Sequence, residues 1–258
     1  MKALSGALAF TLIFALPVFA DYVETRDLTI PAEDIRELMI DCGAGYLEIE
    51  GVENLKNIEV EAEIVIGGLS RRKAQDFIED YMVLSLEGKR GRARLDSFFE
   101  HSKRFLGSLF GHKSAQINLR VRTPVDIGLD IDDGSGDISI ENISGGVDVE
   151  DGSGEMELSR IIGDVTIEDG SGEIDAFSFE GNVSIDDGSG DIFLEDIVGD
   201  AEIDDGSGDI VIKKVDGSIV VDDGSGDIKI RYVKKDVDII DSGSGDVDIA
   251  YVDGRVRR

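Results

Sequence analysis

The chain has 258 residues, of which 41% are hydrophobic, enough to bury a substantial core in one or two domains. Its 56 acidic residues outnumber 26 basic ones and give a formal net charge of −30. Because a surface of that sign repels phosphate, the composition argues against a nucleic-acid partner. Cys42 is the only cysteine, so no disulfide can form within the chain.

Residues 1–20 have the pattern of an export signal. Lys2 supplies positive charge, residues 7–16 are almost entirely apolar, and Val18 and Ala20 place small residues before a cleavage point. The pattern predicts a signal peptide and an exported protein, either periplasmic or secreted to the cell surface. A retained membrane anchor is the alternative, but the apolar run is shorter than the ~20 residues of a spanning helix.

Residues 21–66 predict a degenerate first rung of the repeat found further along the chain. Residues 39–49 alternate between apolar and polar side chains around a glycine-containing corner at Cys42. Ile58 and Val60 are expected to fill the second-strand positions of this rung. Cys42 is predicted to be a buried small residue rather than a reactive thiol.

Residues 67–122 have a different composition and predict a small α+β insertion or capping region. A helix is expected from Ser70, its N-cap, to Met82, followed by strands over 83–86, 92–95 and 117–121.

Within this insertion, Phe98 to Phe110 carries apolar residues at helical spacing with basic residues beside them. This stripe is predicted to cap the open end of the fold, because terminal repeats must hide their core. Contact with a membrane surface or a partner is the alternative.

Residues 123–258 contain seven copies of an acidic Gly-Ser-Gly corner. Their first glycines are 18 residues apart five times and 19 apart once: Gly134, Gly152, Gly170, Gly188, Gly206, Gly224 and Gly243. Alternating apolar and polar residues between corners indicate two short strands per repeat. A second glycine column, which includes Gly199, marks the opposite corner, where positive φ is expected. The repeat predicts an all-β fold, a single-stranded β-solenoid or β-helix of seven 18-residue rungs.

Stacking the rungs aligns aliphatic residues into five columns that form one continuous core. Two of these columns begin at Ile138 and Ile140 and a third at Ile143, all in the first strand of a rung. The second strand adds two columns, which begin at Val147 and Val149.

Stacking also aligns carboxylates beside each corner, and clustered oxygens of this kind suit hard divalent cations. We therefore predict a possible Ca²⁺ site along this edge; no other cofactor is required. The candidate ligands are Asp133, Asp151, Asp169, Asp187, Asp205, Asp223, Asp137, Asp191, Asp209 and Asp227. A solvated acidic edge without bound metal is the alternative, because the spacing differs from that of calcium β-roll repeats.

The uniform corners also bear on catalysis. Paired acids are what glycoside hydrolysis uses, so a carbohydrate-active enzyme acting on a polysaccharide is one alternative. Uniform corners build no cleft, however, and the chain has no tryptophan to stack on a sugar ring. The sequence therefore favours a non-catalytic module that binds an envelope or surface polymer or protein.

The sequence also resembles a bacterial putative-adhesin family of unknown function whose members carry β-strand repeats, and it is similar to the head domain of autotransporter adhesins. The resemblance lies in residues 39–51, in the lead-in at 119–131 and in the repeated Asp-Gly-Ser-Gly-Asp-Ile motif. It covers nearly the whole mature chain. It implies a β-solenoid with a role in the envelope or at the surface, and it implies no catalytic residues.

Overall fold

The structure is a computed structural model that describes residues 21–100 and 114–258. It is a mostly β protein whose stacked coils form a β-solenoid of about seven turns, as the repeat predicted. The strands before the regular region are β1 (Tyr22–Pro31), β2 (Glu37–Ala44), β3 (Leu47–Val52), β4 (Asn57–Ile66), β5 (Met82–Lys89), β6 (Arg92–Phe99) and β7 (Ala115–Pro124). Helix α1 (Arg71–Tyr81) lies between β4 and β5.

The regular region alternates longer and shorter strands, two to each rung. In chain order they are β8 (Gly128–Ser135), β9 (Ile138–Ile143), β10 (Val147–Asp151), β11 (Met156–Ile162), β12 (Val165–Asp169), β13 (Ile174–Glu180), β14 (Val183–Asp187), β15 (Ile192–Val198), β16 (Ala201–Asp205), β17 (Ile210–Val215), β18 (Ile219–Asp223), β19 (Ile228–Val233), β20 (Val237–Ser242), β21 (Val247–Val252) and β22 (Val256–Arg257).

These strands form two eleven-stranded sheets within the described residues. Sheet A has the order β1-β4-β7-β3-β9-β11-β13-β15-β17-β19-β21, and sheet B the order β22-β20-β18-β16-β14-β12-β10-β8-β2-β6-β5. Consecutive rungs pair in parallel, and Ile192 pairs with Ile174 on one side and Ile210 on the other. The core lies between the sheets, and its five predicted columns are confirmed, with Ile192 only 1% exposed.

The single 19-residue spacing has a local cause in sheet B. Between β18 and β20, Val221 pairs with Ile239, but Asp222 pairs with Asp241. The residue left over is Ile240, whose side chain is 66% exposed. One bulged residue therefore absorbs the insertion without shifting any core column.

The N-terminal end differs from the prediction in one respect. Ile58 and Val60 were expected in second-strand positions, which would place them in sheet B. Strand β4 instead lies in sheet A, antiparallel to both β1 and β7. The chain reverses between β3 and β4, so β4 runs antiparallel to β7 and does not continue the parallel coil. Both sheets thus end in antiparallel strands here.

The insertion contributes strands to both sheets. Strand β6 pairs in parallel with β2, and β7 in parallel with β3, so together they add an irregular rung. Helix α1 begins after the predicted N-cap Ser70, although that side chain makes no capping hydrogen bond. The ring of Phe77 in this helix packs against the ring of Phe99 in β6, with 5.2 Å between the ring centroids. Phe98 and Phe99 of the predicted stripe belong to β6, and its residues 101–110 lie outside the described residues.

In the second glycine column, Gly163 has the positive φ that we expected, at 130°, whereas Gly199 is explained by close approach. Gly199 is not among the residues with positive φ. A Cβ atom at Gly199 would lie 1.9 Å from the carbonyl oxygen of Gly181 in the preceding rung. A side chain at Gly199 would therefore force these two rungs apart.

Among the residues that the structure describes, no helix has the length and apolarity needed to cross a membrane.

Candidate functional site

The Asp-Gly-Ser-Gly corner joins sheet B to sheet A in every regular rung. Each corner is bonded to its neighbours through the backbone: Gly188 N–H donates to Asp169 O at 2.9 Å, and Gly190 N–H donates to Ser207 O at 3.0 Å. A Cβ atom at Gly190 would lie 1.5 Å from Gly172 O. The glycines are therefore required by rung stacking, and the chemistry of the corner belongs to the acids around it.

The acids before the glycines form two columns on opposite sides of sheet B. One residue of each pair faces water: Asp132, Glu150, Glu168, Asp186, Asp204 and Asp222, called the outer column. The next residue of each pair faces the interior: Asp133, Asp151, Asp169, Asp187, Asp205 and Asp223, called the inner column. Strand alternation accounts for the difference, since Asp187 lies two residues after the buried Ile185 and shares its face.

The inner column is buried, with its six residues between 1% and 7% exposed. In five of the rungs, Oδ1 accepts the backbone N–H of the serine two residues on, at 2.9 to 3.2 Å. This bond closes an Asx turn that shapes the corner. Oδ2 of every inner aspartate, and also Oδ1 of Asp133, is buried without a hydrogen-bond partner.

Burial sets the protonation of the inner column, because removal from water disfavours the charged carboxylate. It raises the pKa of Asp133 to about 7 and the pKa of Asp151, Asp187 and Asp205 to about 6. The pKa of Asp169 and of Asp223 is raised for the same reason. In most rungs neighbouring carboxylates add to the effect, while the corner N–H groups oppose it.

The column ends in neutral residues at both ends of the stack. Asp133 pairs in register with Cys42 of β2, and Asp223 pairs with Ser242 of β20. Burial is the main cause that raises the pKa of the Cys42 thiol far above its usual range, followed by the charge of Asp133. A thiol with so high a pKa is a poor nucleophile, as predicted, although Cys42 is partly rather than fully buried.

A third set of acids follows each corner, at the start of sheet A, and is exposed. It includes the candidate ligands Asp137, Asp191, Asp209 and Asp227. Each Oδ1 accepts a backbone N–H from the next rung, at 2.9 to 3.2 Å. These aspartates therefore hydrogen-bond one rung to the next.

At the opposite corner, side-chain oxygens likewise accept backbone N–H groups from the next rung, which sequence reasoning missed. Asp164 Oδ1 accepts the N–H of Asn182 at 2.9 Å, and Asn182 Oδ1 accepts that of Asp200 at 3.1 Å. The signal was the Asp, Asn or Ser residue that follows most glycines of the second column.

A further column was also missed, near the end of each of the seven regular sheet A strands, the odd-numbered strands from β9 to β21. Its members are non-glycine residues with φ between 57° and 62°: Asn142, Arg160, Ser178, Asp196, Lys214, Tyr232 and Tyr251. Ser178 has no register partner, although Phe177 and Phe179 on either side of it do. The extra residue lets Phe179 point inward three positions after Ala176, which strict alternation forbids. The signal in the sequence was the three-residue spacing between the second and third core columns, which begin at Ile140 and Ile143.

The structure separates the ten predicted metal ligands into two environments. The six inner aspartates are buried, and the four that follow the corner are exposed and already accept backbone N–H groups. Within residues 21–100 and 114–258, no three His, Cys, Asp or Glu side chains converge as a metal site would require. Calcium binding stays a prediction.

Comparison with known proteins places the chain among related folds. The profile of the Toastrack DUF4097 family matches residues 100–257. A putative adhesin from Bacteroides fragilis is 14% identical, with 91% of this chain and 96% of that chain covered, at a TM-score of 0.49. A putative cell adhesion protein from Clostridium sporogenes is 12% identical over 92% of this chain and 100% of its own, at a TM-score of 0.40. A putative lipid binding protein from Parabacteroides distasonis is 14% identical over 92% of this chain and 97% of its own, at a TM-score of 0.33. No curated protein matches the sequence.

Proposed function

The chain belongs to the Toastrack DUF4097 family, and from that premise we propose that it is an exported, non-catalytic, adhesin-like module of the envelope or cell surface. It binds an extended polymer or protein through a flat face of the solenoid. The observation that carries the proposal is the outer column, in which exposed carboxylates repeat in register along parallel strands of sheet B.

The geometry of this column defines the partner that it suits. Parallel strands lie about 4.8 Å apart, so the carboxylates form a straight row with a short, constant spacing. A row of like charges attracts a partner of opposite charge, and the attraction weakens as salt screens it. The partner is therefore an extended chain that bears cationic groups, such as an amino-sugar polymer or a lysine-rich segment.

Binding is tested with the protein that starts at Asp21, applied to immobilised envelope polysaccharides and to a basic polymer. We expect retention that falls with added salt and no new reducing ends. The double variant Glu168→Gln/Asp186→Asn should weaken retention severalfold. The control Glu157→Gln/Asp175→Asn removes the same charge from sheet A and should retain binding. New reducing ends would favour the carbohydrate-active enzyme, and equal loss in both variants would contradict a role for the outer column.

Export is tested separately. Expression of the full chain in a bacterial host should give a periplasmic or extracellular protein whose mass corresponds to cleavage before Asp21. A protein that keeps residues 1–20 and remains with the membrane would contradict cleavage and support the anchor.

A further inference from the structure

The inner column contains at least one unpaired polar atom per rung in the interior of the protein. Oδ2 of each inner aspartate is buried and accepts no hydrogen bond, although buried carboxyl oxygens in proteins are normally satisfied. Oδ1 of Asp187 is already occupied by the N–H of Ser189 at 3.0 Å. The corner therefore provides a donor for one oxygen of the carboxyl group and none for the other.

Each inner aspartate is in register with the inner aspartate of at least one adjacent rung. Asp187 pairs in register with Asp169 on one side and Asp205 on the other, at the strand spacing of about 4.8 Å. The other charged or titratable groups that act on the column are also acidic. They are Cys42, Asp137, Asp186, Asp191, Asp209, Asp222 and Asp241.

Among the described residues, these six interior carboxylates have no cationic partner, which is electrostatically unfavourable. A bound proton offsets both the charge and the missing hydrogen bond. It removes the charge and turns the unpaired acceptor into an O–H donor, which the neighbouring carboxyl can accept. The neutral residues at the two ends fit this arrangement, because Cys42 and Ser242 close the column without adding charge.

We propose that the inner column is a proton-binding ladder, in which protons taken from solvent on folding are shared between the carboxyls of successive rungs. The outer column, one residue away in each rung, does not take part because water solvates it. This inference does not depend on the proposed function, and it makes the solenoid an acid-stabilised fold that loosens as the pH rises.

The sign follows from proton linkage. Burial raises the folded-state pKa of these groups above their unfolded value, so the folded state binds more protons than the unfolded state. The stabilisation is complete below the unfolded pKa of about 4 and is lost as the pH rises through about 6 to 7. Coupling between rungs spreads the titration, because each proton released makes its neighbours harder to ionise.

The test compares Asp187→Asn with Asp186→Asn, which change adjacent residues of one rung by the same two atoms. Asparagine mimics the protonated carboxyl, since it keeps the Oδ1 acceptor and supplies a donor in place of Oδ2. At pH 8 in EDTA, we expect the melting temperature of Asp187→Asn to rise by about 3 to 6 °C. The dependence of its melting temperature on pH between 5 and 8 should be reduced, whereas Asp186→Asn should follow the wild type.

Either of two results would overturn the ladder. One is a melting temperature for Asp187→Asn at or below the wild-type value across the whole pH range, with an unchanged pH dependence. The other is stabilisation of the wild type by millimolar Ca²⁺ at pH 8 that is lost in Asp187→Asn but kept in Asp186→Asn, which would assign the inner column to cations. An equal response of all three proteins to Ca²⁺ leaves the column free of metal and supports the proton ladder.

Discussion

The outer and inner columns lie one residue apart, yet they are two regions with different physical chemistry. Asp186 faces water and is exposed, whereas the adjacent Asp187 is 2% exposed and packed on the core side of the same strand. The pKa of Asp187 is raised to about 6 by burial. We therefore propose that identical side chains serve recognition on one face and protonation on the other, because the pleat of the strand places them on opposite sides.

The largest expected effect concerns the backbone that holds the two columns apart. Gly190→Ala would place Cβ against Gly172 O, where only 1.5 Å is available. Because backbone on both sides resists movement, we expect a loss of about 3 kcal/mol or more in the free energy of unfolding. Urea denaturation measures it. Ser189→Ala in the same corner keeps the backbone bond to Asp187 and should cost less than about 1 kcal/mol.

The pH dependence of the wild type is the next largest effect. The inner column titrates between pH 5 and 8, because burial raises the pKa of four of its aspartates to about 6 to 7. We expect the free energy of unfolding to fall by about 1 to 3 kcal/mol over this range, measured by urea denaturation at each pH.

Exposed acids act in the opposite direction at lower pH. Hydrogen bonds lower the folded-state pKa of Glu195, Asp200 and Asp236, so their contribution is present above the unfolded pKa and is lost as the pH falls. Maximum stability is therefore expected near pH 5. Stability that rises steadily from pH 5 to 8 would contradict the assignment of the inner column.

A smaller effect is expected where the sheet A strand leaves the regular alternation. Ser178 has φ 62°, a conformation that glycine adopts without steric cost. Ser178→Gly should raise the free energy of unfolding by about 0.5 kcal/mol. Ser184→Gly, at an exposed position in strand β14, should lower it by about 0.5 to 1 kcal/mol. Destabilisation of the same size at both positions would refute the special role of the positive-φ column.

The smallest effect concerns the exposed ion pairs on the outer surface of the solenoid. Lys234 Nζ lies 2.6 Å from Asp216, with side chains 62% and 43% exposed. Because solvent and salt screen such pairs, a double-mutant cycle with alanine at both positions should give a coupling of about 0.5 kcal/mol or less. A coupling several times larger would mean that exposed ion pairs contribute as much to the free energy of unfolding as buried groups do.

The regular rungs could be predicted from the sequence because every rung repeats the same local pattern. Period, strand alternation and the core columns all follow from side-chain spacing, and the core columns beginning at Ile138 and Val147 are confirmed by register. The irregular end could not be predicted so well. Nothing in the alternation of Ile58 and Val60 specifies whether β4 continues the parallel coil or turns back against β1.

The candidate site was predicted only in part, although the information was present. The carboxylates were found as columns, but Asp133 and its equivalents were treated as part of a single acidic edge. Strand alternation from Ile131 already placed Asp133 on the inner face. An aspartate is usually exposed to solvent, but strand alternation places Asp133 on the buried face.

The most direct test of the difference between the two columns is infrared spectroscopy of the folded protein in D₂O. The C=O stretch of protonated carboxyl groups distinguishes them from carboxylates, and exposed aspartates lose it above pH of about 5. We predict a protonated-carboxyl band that persists at pH 6 in the wild type and in Asp186→Asn, and that is weaker in Asp187→Asn. A band that disappears by pH 5 in all three proteins would contradict the account.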